Sequence, residues 1–353
     1  MSTTDTPEND LTEELIAEID RLMTDAAITE NRGLIRRILT SGLQLGTDET
    51  DRLDLKITSA ALIEMRNAFK LFAPYHDVRM ATIFGSARTQ PESAAYRAAH
   101  DVAAALAADG WMIVTGAGPG IMQAAAEGAG PDMSIGVSIR LPFEEKANEI
   151  IGQDPKHVAM KYFFTRKLML VKESTGFVCV PGGFGTLDEM FELLTLQQTG
   201  KAEPVPIVLL DEPGGTFWKN LEGYIRNTMM PAGVISPDDL DRVLITDSVE
   251  EAHAAIVGFW HNYDSLRWVG DTLVLRLKHE PTDAEIADLT ERFAFLLKEG
   301  TIRRTEPYGP ERNDNDKLDL PRLSLVLNQF KVGSLFQLVN AINELPSAHR
   351  SPR

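Results

Sequence analysis

The stretch GFVCVPGGFGTLDEMFELLTLQQTGK, residues 176 to 201, reads as a buried strand ending at Pro181, a turn of glycines, and a helix opening near Thr186. The turn is Gly182, Gly183, Phe184, Gly185. Glycine lets the backbone take positive φ and admits an anionic group to the amides without meeting a Cβ. Where such a turn feeds a helix, the unpaired first-turn N–H groups and the positive end of the dipole make a phosphate site. Pro181, Gly182, Gly183, Gly185 and Thr186, whose hydroxyl adds a donor, are the candidate phosphate-binding residues. A plain strand-to-helix turn has the same glycines, so the residues that follow matter. Leu187, Met190, Phe191 and Leu194 recur at i, i+3, i+4 and i+7 and are expected to face the core. Thr186 and Glu189 lie three apart on another face, which puts the Glu189 carboxylate about one turn from the amides, where the sugar of a nucleotide would lie. Asp188 suits a plainer role, pairing with the helix N-terminus.

Working outward, short apolar runs alternate with amphipathic stretches, the pattern of a βαβ core. Strands are expected at Ala81 to Phe84, Trp111 to Thr115, Ser134 to Ile139, Gly176 to Val180, Val205 to Leu210 and Val243 to Thr246. Several are nearly continuous apolar runs, as parallel strands covered on both faces require. Helices are expected at 92–108, 121–128, 156–173, 186–199, 217–229 and 249–261. The sum is a doubly wound, Rossmann-like parallel α/β sheet, in which ligands sit beyond the C-terminal strand ends at the switch in strand order. Before it, from Leu11 to about Phe72, apolar residues recur three and four apart and predict an N-terminal segment of two or three helices. After it, a strand at Thr272 to Leu277, a helix at Asp283 to Lys298, the polar stretch GPERNDNDK at 309 to 317, a strand at Leu323 to Leu327 and a helix at Leu335 to Leu345 predict a small C-terminal α+β appendage. The expected domains are residues 1–75, 76–264 and 265–353.

Two further strand ends carry glycines. TGAGPGIMQ from Thr115 offers Gly116, Gly118 and Gly120, an imperfect GxGxxG. A dinucleotide site also wants an acid at the next strand end for the ribose, and Ile139, Arg140, Leu141, Pro142 supply none, so NAD is disfavoured. FGSAR offers Gly85, Ser86 and Arg88. Three such ends on one sheet suit one mononucleotide-sized anion better than three unrelated turns. The segment HVAMKYFFTRKLMLVKES, residues 157 to 174, is an apolar helical pattern interrupted by Arg166 and Lys167. A solvated helix face is one reading of that pair. The other is a guanidinium and an ammonium delivered near PGGFGT, in the donor form suited to phosphate or carboxylate.

The chain has 353 residues with ordinary globular composition, 43% hydrophobic and 25% charged. Its 52 acidic and 35 basic side chains give a formal charge of −17, which repels nucleic acid polymers and anionic membranes. The one cysteine, Cys179, excludes an internal disulfide and a cysteine-based zinc site, and is read as a buried small hydrophobe. The N-terminus is polar and acidic where a signal peptide is basic then apolar, and no run approaches a membrane span, so a reducing cytoplasm is the expected location.

The combination of Arg166-Lys167 with PGGFGTLDE at 181 to 189, separated by 23 residues from Arg166 to Glu189, resembles the LOG (Lonely Guy) family. Its motif is PGGxGTxxE preceded by an Arg-Lys pair. Members were often labelled lysine decarboxylases but are phosphoribohydrolases acting on nucleoside 5′-monophosphates, including cytokinin ribotides. The resemblance covers about Val78 to His261. It implies a homodimer or higher homo-oligomer and an active site at the sheet's C-terminal edge. Arg166 and Glu189 match the catalytic pair, and Gly182, Gly183, Gly185 and Thr186 match the phosphate turn. Gly116 to Met122 stands where the family carries GGGxxGxMG, with Ala117 and Pro119 as departures. The implied reaction is hydrolysis of the N-glycosidic bond to free base and ribose 5-phosphate, with no metal or redox cofactor. Two alternatives stay open on the residues alone: a non-catalytic nucleotide sensor on the same fold, and a decarboxylase, which would need pyridoxal phosphate and a Schiff-base lysine, for which Lys167 stands nearest the motifs.

Overall fold

The computed structural model describes residues 12–140 and 147–349. The acidic N-terminal segment through Leu11 and the strand-end residues Leu141 and Pro142 lie outside them. The chain divides into two compact units, residues 1–66 and 67–353.

The first unit holds α1 (Glu13–Asp25), α2 (Arg32–Thr47) and most of α3 (Arg52–Phe72). Thr12 caps α1 through its hydroxyl, which accepts from Leu15 N. Ile19 and Met23 make its small core, with Ile16, Ile28, Ile35 and Leu39 packed on them. Arg36 clamps Asp20 with two hydrogen bonds of 2.9 and 2.7 Å.

In the second unit the strands β1 (Met80–Phe84), β2 (Met112–Thr115), β3 (Ser134–Ile139), β4 (His157–Met160), β5 (Gly176–Cys179), β6 (Ile207–Leu210) and β7 (Val243–Thr246) form one all-parallel sheet. Its order is β4-β3-β2-β1-β5-β6-β7. The chain winds outward one way from β1 to β4 and the other way from β5 to β7, so the switch in strand order falls between β1 and β5. Successive side chains of a strand face opposite ways. On one face Ala81, Ile83 and Val178 are buried with residues of α4 (Ala94–Ala108), α5 (Ile121–Ala129) and α9 (Val249–Gly258). On the other, Thr82 donates at 2.8 Å to the Leu170 carbonyl of α6 (Phe163–Lys172), and Phe84 stacks on Phe177. The helices α7 (Phe184–Gln198) and α8 (Phe217–Tyr224) complete the connections, α8 running on into a π-helical turn at Ile225–Met229.

Beyond α9, β8 (Tyr263–Val269), β9 (Thr272–Leu277), β10 (Leu297–Arg304) and β11 (Arg322–Leu327) form an antiparallel sheet ordered β10-β11-β9-β8, with α10 (Asp283–Arg292), α11 (Gly309–Asn313) and α12 (Leu335–Asn343) around it. Its buried Tyr263, Leu273 and Leu275 belong to the same core cluster as Trp111, just before β2, and Ile256 of α9. Its polar centre is Glu311, fully buried, which accepts from Arg276 at 2.8 Å and faces Arg322 Nε at 3.6 Å.

The parallel α/β architecture agrees with the sequence reading, and four local expectations are corrected. The helix expected at 156–173 is β4 followed by α6, because HVAM pairs in register with Gly136 to Ile139 of β3 and Tyr162 is extended. The helix expected at Asp283 to Lys298 stops at Arg292, and Leu297 begins β10, an edge strand with Ile302 buried and mostly exposed neighbours. Tyr263–Val269 is a strand that the sequence reading did not contain. The stretch 309–317 carries α11 and the buried Glu311 rather than being a plain polar loop.

Removing a partner from a buried ion pair leaves an uncompensated charge, at about 3 to 5 kcal/mol. Glu311→Ala is expected to destabilise the protein by that order in denaturant titration. Arg292→Ala, which breaks an exposed pair with Asp288, is expected to cost under about 1 kcal/mol.

Candidate active site

Strands β2, β1 and β5 are neighbours in the middle of the sheet, so their C-terminal ends bring the three glycine turns together. Ser86 ties them. Its N–H donates to the Pro181 carbonyl at 3.3 Å, and its carbonyl accepts from Ile121 N at 3.0 Å. Its Oγ accepts from Arg88 N at 3.1 Å. The approach is too close for side chains. A Cβ on Gly85 would strike Ile121, and one on Gly120, at φ +65°, would strike the Ser86 carbonyl. One on Gly182 would fall on Thr186 Oγ1 and reach Ser86 N at 3.0 Å. Ser86 thus spends its backbone on joining turns, while Arg88 stands exposed beside it.

The second turn has its own support. Ala117 takes a left-handed φ of +57°, and its N–H donates to Thr115 Oγ1 at 3.1 Å. Asn148, nearly buried, donates its backbone N–H to the Ala117 carbonyl at 2.8 Å and its Nδ2 to the Gly118 carbonyl at 3.0 Å. Its Oδ1 accepts from Ile151 N at 3.2 Å. Nothing in the sequence pattern marked Asn148, which stands outside every glycine turn.

Helix α7 begins at Phe184 with Gly183 as N-cap and no capping side chain, so its first-turn amides keep the open N–H groups of an uncapped helix. Its buried residues are Thr186, Glu189, Met190, Leu193 and Gln197. That stripe corrects the expected core face. Met190 is buried, but Phe191 is 37% exposed, and the inward face is turned so that the two polar residues Thr186 and Glu189 lie on it. Phe184, at the tip of the turn, is 93% exposed.

Glu189 meets Arg166 there. Arg166 Nη1 stands 3.7 Å from Glu189 Oε1, too long for a hydrogen bond, with both side chains about a tenth exposed. Arg166 Nε donates to the Val137 carbonyl of β3 at 3.0 Å. The guanidinium lies over Gly116, where a Cβ would collide with Nη2. Burial pushes the Glu189 carboxyl above the ordinary glutamate range; the charges of Arg166 and Lys167 work against that rise and Asp188 adds to it. Cys179, wholly buried beneath, has its thiol pushed well up by burial and by Glu189, and stays protonated.

Lys167, one residue on, is paired elsewhere, with Asp188 at 2.9 Å and Glu192 at 2.5 Å. Burial lowers its affinity for the proton, but the hydrogen bonds to Glu192 and Asp188 outweigh burial and hold the ammonium above its ordinary range. Asp188, expected beside the helix N-terminus, is here a partner of Lys167. Among the described residues no group of three or more His, Cys, Asp or Glu is arranged to hold a metal.

The geometry thus gathers Gly85, Ser86, Gly116, Gly118, Gly120, Pro181, Gly182, Gly183, Gly185, Thr186, Arg166 and Glu189 at one sheet edge, leaves Arg88 exposed beside them, and engages Lys167 in two ion pairs. Its chemical capacity is a row of amide donors beside a protonatable, buried carboxylate and an arginine.

Comparison with known proteins bears on the same region. The model of a family described as possible lysine decarboxylase matches residues 119–256. The cytokinin riboside 5′-monophosphate phosphoribohydrolase of Mycobacterium tuberculosis is 31% identical over 163 residues, covering 44% of this chain and 81% of that protein. That of Mycobacterium marinum is 28% identical over 178 residues, covering 49% of this chain and 90% of its own. Among solved structures, the molybdenum cofactor carrier protein of Chlamydomonas reinhardtii aligns at 21% identity with a TM-score of 0.36, over 51% of this chain and 96% of that one.

Because the folded Glu189 carboxyl holds its proton more tightly than the unfolded one, its ionisation costs stability. The cost sets in as pH rises from the ordinary range, about 4.3, through the raised value. Arg166→Met removes the largest opposing charge, so the Glu189 titration is expected to move further up. Carbon-detected NMR of labelled glutamate checks this, and an unmoved or lowered titration would contradict it.

Proposed function

The chain belongs to the LOG family, and from that premise we propose that it hydrolyses the N-glycosidic bond of nucleoside 5′-monophosphates, releasing free base and ribose 5-phosphate. The observation that carries the reading is the Glu189 carboxylate, nearly buried beside Arg166 and one turn into the helix whose uncapped amides open the PGGFGT turn. The phosphoribohydrolases that the chain resembles are named for this reaction on cytokinin ribotides. For this chain the substrate class is nucleoside monophosphates at large, cytokinin ribotides included.

The mechanism follows from what the bond requires. Its cleavage develops positive charge on the sugar, and a carboxylate at the ribose stabilises that charge, holds the hydroxyls and takes a proton from the attacking water. A carboxyl whose proton affinity is raised by burial is a stronger base once ionised. Arg166, anchored on Val137 and over Gly116, positions that carboxylate. Amides of the glycine turns take the 5′-phosphate, and that binding energy places the anomeric carbon. Phosphate held by neutral amides suits a chain whose net charge is −17, since it needs few free cations.

Lys167 speaks against the decarboxylase alternative. A Schiff-base lysine must lose its proton, and the two carboxylates paired with Lys167 keep it protonated. A homodimer or higher homo-oligomer is part of the same proposal. It is supported by apolar side chains left in water beside the site, Phe163 and Phe164 each 54% exposed and Leu168 44%. Light scattering is expected to report a mass above one chain, and a strict monomer would contradict this part.

Incubation with AMP, GMP, CMP, UMP, IMP and isopentenyl-AMP, followed by chromatography, is expected to show free base and ribose 5-phosphate from at least one of them. Glu189→Gln and Arg166→Ala are each expected to lower turnover by about 10² to 10⁴ with the fold kept. The acidic limb of kcat/KM is expected above the ordinary glutamate range of about 4.3. Near wild-type rates in Glu189→Gln would overturn the assignment, and nucleotide binding without release from any substrate would favour the sensor.

A further inference from the structure

At the outer edge of the parallel sheet a groove of about 530 Å³, not needed by the chemistry above, runs between the last turn of α3 and strand β4. The strand order puts β4 three places from β1, so this groove is separate from the glycine turns. Its polar lining is Asn67, Lys70, Tyr75, Arg140, Lys156 and His157, and no Asp or Glu among the described residues lines it. In a chain with 52 acids against 35 bases, a groove walled among the described residues by three cations and no acid runs against the composition.

The cations are not equivalent. Lys156 is matched by Asp154, at 2.8 and 2.9 Å to its two carboxylate oxygens. Lys70 and Arg140 have no carboxylate partner among the described residues. Arg140, at the end of β3, donates from Nη2 to the Ala159 carbonyl at 3.2 Å, which leaves its other donors for a ligand. That same bond covers the edge of β4, where an added peptide strand would otherwise pair. His157 is engaged by Ser138 Oγ at 2.8 Å and forms wall rather than donor.

We propose that this groove is a second binding site, for a phosphorylated small molecule of about nucleotide size. The volume lies within the ~300 to 1,000 Å³ of small-molecule sites. Guanidinium and ammonium together suit a phosphate, and the half-buried Tyr75 offers a ring face for a planar group. A polyanion is excluded by the field of the whole chain, at −17, which two local cations do not reverse. The proposal does not rest on glycosidic hydrolysis.

Calorimetric titration with inorganic pyrophosphate and with ADP tests it. In the full-length chain, Lys70→Glu/Arg140→Glu is expected to lose one bound probe per chain, or to hold it at least about tenfold more weakly. Release of base from a substrate nucleotide is expected to stay at the wild-type rate, which separates this site from the glycine turns. Tyr75→Ala is expected to weaken ADP and spare pyrophosphate. Both cations are exposed, so the thermal midpoint is expected to hold; Lys70→Ala and Arg140→Gln, each weakening the probe by less, repeat the test without charge reversal. Absence of any binding by the wild type, or the same stoichiometry and affinity in the double variant, would overturn the proposal.

Discussion

The candidate site depends on three backbone turns meeting in less space than side chains allow. Ser86 bonds to Pro181 on one side and to Ile121 on the other, and a Cβ on Gly85 or Gly120 would enter atoms of the neighbouring turn. Three strand ends of one sheet thereby become a continuous floor of peptide groups. The arrangement is available because β2, β1 and β5 are adjacent, and they are adjacent because the chain reverses its winding direction after β4. Topology supplies the meeting point and glycine supplies the clearance.

On that floor the costly element is Glu189. A carboxylate is rarely buried without a partner, and its partner here stands 3.7 Å away, a charge nearby rather than a hydrogen bond. Burial therefore outweighs attraction and the carboxyl is driven up. Lys167 adds a second opposing charge but is itself bonded to Asp188 and Glu192. Such a cost in stability at neutral pH is what the proposed proton exchange at Glu189 would require. Gly116 has a matching part, since only the missing Cβ lets the Arg166 guanidinium lie where it does.

Much of this was legible in the sequence where apolar runs and glycines coincide. β1, β2, β3, β5, β6 and β7 stand within a few residues of their expected places, since buried parallel strands are nearly continuous apolar runs. Two of the edge strands, β4 and β10, escape that signature. β4 reads as the start of a helix because HVAM joins the apolar period of α6, and β10 is polar because most of it faces water. On α7 the leucines and phenylalanine suggested one inward face, and the fold chose the neighbouring one, which buries Thr186 and Glu189. Asn148 and Glu311 act through tertiary contacts with distant segments, which no local pattern records.

The central claim is that water attacks the anomeric carbon of a nucleoside monophosphate at Glu189. Turnover in ¹⁸O-labelled water, followed by mass spectrometry of the products, tests it most directly. The account predicts one labelled oxygen in ribose 5-phosphate, at the C1 hydroxyl, and free base without label. Label in inorganic phosphate with the nucleoside intact, or nucleotide recovered unchanged, would contradict it.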